Sequence, residues 1–290
     1  MEARRSATAS VFQPRRTAFG SHAPCYGASD AEGSFVARGS IRKSILTMAV
    51  QGRLSEGIDA NGLSSEDHKE NKNPEGAKRG PFFIPLTWKW QQIGKLAQLI
   101  NGDRSKNYPN RSEYVSDGVP WINTGHIEPD GTLSLTSMNY ISEEKFESLR
   151  SGKVKPNDIL YCLRGATLGK TAIVTQFDRG AVASSLVIIR FEEHVDPRFA
   201  YCVLTSPLGR SQIFEYDNGS AQPNLSANSV KKYWFPLPPL AEQRRIVAKV
   251  DELMALVDRL DEHQRQAHDL GGRLLTAAIA ELTQPRAEAA

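Results

Sequence analysis

Cysteine is scarce in this chain, and the three present, Cys25, Cys162 and Cys202, form no CxxC pair. An odd, scattered set supports neither a disulfide framework nor a thiolate zinc site and points to a reducing, cytoplasmic setting. No apolar run approaches the ~18 residues of a membrane span, so no membrane association is expected. The six histidines lack HExxH spacing. GxSxG, the Pro-Pro-aromatic motif of an adenine methylase and a nuclease-like carboxylate pair leading to Glu-x-Lys are missing too. The chain therefore reads as non-catalytic, with no catalytic residues, no metal site and no bound cofactor of its own. Charge of one sign is also lacking. The 36 Lys+Arg against 33 Asp+Glu leave a net +3, which permits nucleic-acid binding only through local clustering.

What is present fits an α/β (α+β) fold: one mixed domain with a long C-terminal coiled-coil helix and a short N-terminal helix. The 290 residues are 40% hydrophobic, enough for a sizeable core. Residues 1–39 are rich in Arg, Ser, Ala and Gly and read as a disordered leader. Residues 40–54 form a short helix capped by Ser40 and ending at Gly52. Residues 55–80 are polar and Gly-rich, a flexible linker. Residues 81–235 carry β-rich runs from Val119, Asp158, Lys170 and Ser185 between turn signals, with helical patches at 142–149 and 197–211. Trp88, Trp90, Ile93 and Leu96 are the expected core anchors. Residues 236–283 are the long helix, and 284–290 a disordered tail.

That helix organises the chain. Pro236, Pro238 and Pro239 close the preceding domain and let a helix start near Leu240. Ile246, Val250, Leu253, Val257 and Leu260 alternate steps of four and three, the seam of a two-helix contact. Leu240 to Leu270 spans roughly 45 Å at 1.5 Å per residue, before Gly271 and Gly272 are expected to interrupt it. The seam has two possible occupants, the chain's own domain or a partner helix. ILTMAV (45–50) matches LLTAAI (274–279), a repeat suggesting that both ends of the chain belong to one helical layer.

GATLGKT (165–171) is one residue short of a phosphate-binding loop, and the strand-like AIVTQF follows where a helix is needed. A hairpin turn presenting Arg164, Thr167 and Lys170 is the better reading. Other polar loops bear Arg104, Lys106, Tyr108 and Arg111, then Asn123, Thr124 and His126, then Gln222 and Asn224. Long cations neutralise phosphates, while Arg and Asn reach guanine and adenine edges bidentately. These residues are the DNA-binding candidates.

The motifs PLPPLAEQRRIVAKVDELMALVDRLDE from Pro236, GSAQPNLS from Gly219, GVPWINTGHIEPDG from Gly118, KPNDILYCLRGATLGKTAIV from Lys155 and SILTMAVQGRL from Ser44 carry a resemblance. The chain resembles the specificity subunit of type I restriction-modification enzymes, in a half-length form with a single target-recognition domain. The resemblance implies a domain reading one half of a bipartite site in double-stranded DNA, and a helix acting as spacer and docking platform. It implies as partners methylase (M) subunits that use S-adenosylmethionine and flip and methylate an adenine. It also implies a restriction/translocase (R) subunit that uses ATP and Mg. A homodimer of half-subunits would restore two readers on an inverted repeat. A stand-alone DNA-binding module, a nucleotide hydrolase built on 165–171, and an inert truncated remnant or decoy are the competing readings.

Overall fold

The computed structural model describes residues 29–54, 80–216 and 224–283. The chain divides into two compact units, Met1–Ala37 and Arg38–Ala290. Helix α1 runs Ser29–Val50 and so starts at Ser29, not at Ser40. No proline lies between 29 and 50, and Gly33 and Gly39 each cost a helix only about 1 kcal/mol, so nothing stops the backbone from propagating upstream of Ser40. The end falls as expected. The Arg53 N–H donates to Met48 O at 2.9 Å and the Gly52 N–H to Ala49 O at 3.3 Å, with Gly52 at φ 75°, which is a Schellman cap. Only glycine fits there, because a Cβ would lie 2.5 Å from Pro85 Cγ. The linker at 55–79, the leader before residue 29 and the tail beyond 283 lie outside the described residues.

The remaining elements, in chain order, are β1 (Lys89–Gln92), β2 (Ala97–Asn101), β3 (Tyr114–Val115), β4 (Val119–Ile122), β5 (Asn139–Ile141), α2 (Glu143–Ser148), β6 (Lys153–Val154), β7 (Ile159–Cys162), β8 (Thr171–Ile173), β9 (Gly180–Val182), β10 (Leu186–Phe191), α3 (Pro197–Thr205), α4 (Pro207–Tyr216), α5 (Ala227–Lys231), β11 (Trp234–Leu237) and α6 (Leu240–Thr283). One sheet has the order β2-β10-β7-β8, a second β3-β5-β4-β9-β6, and β1 pairs with β11 in a two-stranded ribbon. Pairing is antiparallel except between β4 and β9.

The β2-β10-β7-β8 sheet is the middle layer. Ile159, Tyr161, Val187 and Ile189 pack on one face with residues of α1, α3 and α6. Their neighbours Leu160, Cys162, Leu186 and Ile188 pack on the other with Ile122 and Val182 of the second sheet. Both faces are buried, which is why β7 and β10 read as unbroken apolar runs and not as alternating ones. The far face of the second sheet is closed by Val119, Trp121, Phe146, Leu149 and Ala181, with Tyr108 and Tyr114 against them.

Helix α6 docks by its first turns. Trp88 Nε1–H donates to Glu242 Oε1 at 2.9 Å. Ile246, Val247, Val250 and Val257 are buried in one cluster with Ile45, Ala49 and Val50 of α1, and Leu253 packs against it. The first part of the predicted seam is therefore occupied by the chain's own core, in which α3 packs on α6 and α1 joins the same cluster. Leu260 is 50% exposed. Arg42 of α1 pairs with Asp258 and Asp261 beyond the buried stretch. Gly271 and Gly272 do not interrupt α6, which stays helical for 44 residues, or about 66 Å. Glycine weakens a helix without blocking it sterically.

Candidate nucleic-acid interface

Strand direction brings the polar loops together. Because β10 is antiparallel to β2 and β7, its start faces their ends: Val187 lies opposite Asn101 and Leu186 opposite Cys162. The parallel pair β4 and β9 ends alongside, with the Ala183 N–H bonded to Ile122 O at 2.8 Å. The chain therefore leaves β2 into the loop 102–113, β4 into Asn123–His126, β7 into the turn 164–170 and β9 into Ala183–Ser185 at one end of the molecule. Ser184 and Ser185 stitch these loops. Arg104 Nη2 donates to Ser184 O at 3.4 Å, and the Leu163 N–H to Ser185 O at 2.9 Å. Gly102 permits the close approach, since a Cβ there would sit 2.5 Å from Ala183 O.

Loop 102–113 is held from below. Asp103 is 2% exposed and accepts from the Ser105 N–H and the Arg150 N–H, each at 2.6 Å. Burial alone would raise its pKa, but these bonds, with others from Ser105 and Ser151, outweigh it and hold the carboxyl below the usual range. Further along, a capping box closes the turn at 111–113, where the Asn110 N–H donates to Glu113 Oε2 at 2.8 Å. Lys145 pins the same carboxylate at 2.6 Å. Arg104, Lys106 and Arg111 are left exposed.

Tyr108, Arg111, Tyr114, Trp121, Asn123, Asn139, Ala183 and Ser185 line one cavity of about 490 Å³, open to solvent. Tyr108 meets Trp121 edge to face, ring centroids 5.3 Å apart. Beneath it lies His126, 3% exposed and not at the surface as the sequence suggested. Its Nδ1 accepts from the Asn123 N–H at 3.2 Å, while Nε2 sits 3.4 Å from Asn123 Nδ2 and 3.3 Å from Asn139 Nδ2. Burial lowers its pKa, a bond with Ser137 opposing, so the ring is neutral near pH 7. With Nδ1 accepting, the neutral ring carries its proton on Nε2, so the Asn123 and Asn139 side-chain nitrogens, donors themselves, are packing neighbours there.

The turn 164–170 forms the neighbouring wall. Gly165 and Gly169 take φ of 76° and 78°, and the Leu168 N–H bonds Gly165 O and the Lys170 N–H bonds Thr167 O. With those amides spent inside the turn, and β8 following where a phosphate loop needs a helix, 165–171 is a hairpin turn. Arg164 and Thr167 are exposed, Lys170 half-buried. Arg164 bridges to Asn224, and the Leu225 N–H reaches Leu163 O at 2.9 Å, so Asn224 joins the same end. Gln222 lies outside the described residues.

The candidates therefore fall into two adjoining groups: Tyr108, Arg111 and Asn123 at the cavity, with Arg104, Lys106 and Thr124 beside it, and Arg164, Thr167, Lys170 and Asn224 at the turn. Among the described residues, Arg104, Lys106, Arg111, Arg164 and Lys170 enter no ion pair; exposed Lys95, Arg150, Lys231 and Arg245 elsewhere are unpaired too, so what distinguishes the first five is their convergence at one end of the domain. Tyr114, Asn139 and Ser185 escaped sequence reasoning. Asn139 faces Trp121 across the β4–β5 pair, a relation no local pattern encodes. Among the described residues no group of His, Cys, Asp and Glu is placed to hold a metal, and no helix is long and apolar enough to cross a membrane.

Known proteins resemble this chain in sequence and fold. The family model described as the type I restriction modification DNA specificity domain matches residues 85–267, more than half of the chain. The type I restriction enzyme EcoBI specificity subunit of Escherichia coli is 27% identical over 229 residues, covering 78% of this chain and 45% of that protein. The MjaVIII specificity subunit of Methanocaldococcus jannaschii is 22% identical over 197 residues, 66% of this chain and 44% of that one. The crystal structure of an HsdS subunit from Thermoanaerobacter tengcongensis shares the fold at TM-score 0.56 and 18% identity, covering 87% of this chain and 52% of that chain. The chain spans about half the length of the curated relatives it matches.

Proposed function

The chain belongs to the type I restriction-modification DNA specificity family, and from that premise we propose that it reads one half of a bipartite target in double-stranded DNA. In this reading it supplies position and orientation within a multi-subunit methyltransferase and endonuclease, and no catalysis. Methylase subunits holding S-adenosylmethionine and a restriction subunit using ATP and Mg are its partners, and α6 is the platform on which they dock. The observation that carries the reading is the convergence of Arg104, Lys106, Arg111, Arg164 and Lys170, none in an ion pair among the described residues, with Asn123, Thr124 and Asn224 at one end of the domain. Cations there neutralise phosphates, while Arg164 and the amides stand at the same end, where base edges would be met.

A second copy supplies the missing reader. The exposed Leu256, Leu260, Leu270 and Leu274 of α6, with Ala267, step by four, seven, three and four, a heptad stripe without cover in this chain. LLTAAI (274–279), which begins at the last residue of that stripe, repeats ILTMAV (45–50), whose Ile45, Ala49 and Val50 are buried in one cluster with α6 residues. That repeat favours the α6 of another copy as the occupant, giving a two-fold assembly on an inverted, interrupted site.

The test is DNA binding by the chain assembled with its methylase, measured against salt over a random duplex library. Enrichment of a split, inverted sequence with a steep salt slope supports the reading. Binding without sequence preference, or none, overturns it.

A further inference from the structure

The cavity between loop 102–113 and the β4–β5 pair is larger and more aromatic than reading a groove edge requires. We propose that it receives a single nucleobase, unpaired and carried on a DNA strand; this rests on the DNA-reading function above and adds a pocket to it. Its volume of about 490 Å³ lies within the ~300–1,000 Å³ of small-molecule sites, and its lining mixes aromatic rings with polar side chains. Tyr108 and Tyr114 are only half-buried and offer ring surface, on a floor of Trp121 that is 1% exposed. Every base has a π-face, so aromatic walls accept one without a pairing partner.

The polar groups sit where a base edge would meet them. Asn123 and Asn139 line the cavity, with buried His126 beside both side-chain nitrogens. Asn123 is held in orientation, its Oδ1 accepting from the Gly125 N–H at 2.8 Å. Two neighbouring amides suit the donor and acceptor pattern of a planar heterocycle. Arg111 stands exposed at the rim, where the phosphate of that nucleotide would lie. The ligand class is thus an extruded nucleotide, and the cost of unstacking it is offset by aromatic contact.

The experiment compares fully paired duplexes with otherwise identical ones bearing a single unpaired A, C, G or T, and with free nucleoside monophosphates, by fluorescence anisotropy and competition on the full chain. One unpaired base is expected to tighten binding about tenfold. Tyr108→Ala and Asn139→Leu should each bring the ratio of unpaired-base to paired-duplex affinity down to about one. Lys106→Ala, outside the cavity, should lower both affinities equally. Since Tyr108 and Asn139 are only half-buried, thermal melts within a few degrees of the parent show that the variants fold. Equal affinity for paired and unpaired duplexes, or a preference that survives both substitutions, overturns the pocket and leaves the DNA reading standing. Tight monophosphate binding without any preference among duplexes overturns it in favour of a free-nucleotide site. Binding to no DNA at all overturns the pocket and the function together.

Discussion

Gln243, in the first turn of α6, accepts a hydrogen bond from the Asp196 N–H through Oε1 at 2.7 Å, while its Nε2 donates to His194 O at 3.0 Å and Pro238 O at 2.9 Å. Asp196 in turn caps α3, its Oδ1 accepting from the Arg198 and Phe199 N–H groups at 2.9 and 3.3 Å. One fully buried amide thus fixes the direction in which a helix of about 66 Å leaves the domain. This gives the Glu-Gln of the LAEQRRIV motif a physical task, since Glu242 beside it holds Trp88.

Replacing Gln243 by alanine leaves three backbone groups without their partner, the Pro238 carbonyl in a buried site and those of His194 and Asp196 partly so. At about 1–3 kcal/mol per buried unsatisfied group, Gln243→Ala is expected to destabilise the chain by at least about 2 kcal/mol in urea unfolding. A loss below about 0.5 kcal/mol would mean that the α6 junction hydrates and is not rigid.

Asp103 makes the interface loop sensitive to acid. Its folded pKa lies below the ordinary 3.8, so its stabilisation is complete above pH 3.8 and lost as the pH falls through the folded value. Melting temperature is expected to decline below pH 3.8, and Asp103→Asn should flatten that part of the profile. An unchanged acid limb in the variant would remove Asp103 as its source.

The assembly proposal separates two halves of one helix. Leu274 is 62% exposed, so Leu274→Asp is expected to leave the melting temperature within about 2 °C and shift light scattering from dimer to monomer at micromolar concentration. Val250 is buried in the chain's own core, and Val250→Asp should instead unfold the molecule. A Leu274→Asp protein that stays dimeric would exclude the distal stripe as the contact.

On the proposed interface, Arg164 and Lys106 should behave differently. Arg164→Ala is expected to cost about 1–3 kcal/mol and relax preference at one base pair if its guanidinium reads a guanine. Lys106→Ala should weaken all sequences alike and lower the salt slope by about one. Equal loss on every sequence for Arg164→Ala would reassign it to phosphate.

His126 offers a check on amide positioning. His126→Ala should leave Lys106 and Arg111 untouched and so keep the salt slope, while blurring sequence preference in a library selection. A variant with unaltered preference would show that Asn123 and Asn139 hold their own orientation.

Much of this architecture was legible because local chemistry decides it. Gly52, at positive φ, suits the end of α1, and Pro238-Pro239 suit the residues before α6, since glycine adopts that cap conformation freely and proline cannot sit in a helix interior. The truncated phosphate-loop match was readable as a turn because AIVTQF is strand-like and a strand indeed follows. The burial of Ile246, Val250 and Val257 was half legible. Periodicity showed that the face wanted an apolar partner, but not that the chain's own core, α3 and α1 included, would be that partner. His126 was misread because a turn residue among polar neighbours looks exposed until strands close over it.

The sequence by itself determined the elements, the polar loops and the long helix, because turn residues, caps and hydrophobic period act over a few residues. Tertiary structure alone decided that the loops after β2, β4, β7 and β9 meet at one end, that Asn139 stands beside Trp121, and that α6 is covered at its start and bare beyond Val257. Those relations depend on strand order and register, which join residues far apart in sequence through backbone hydrogen bonds that carry no side-chain signature.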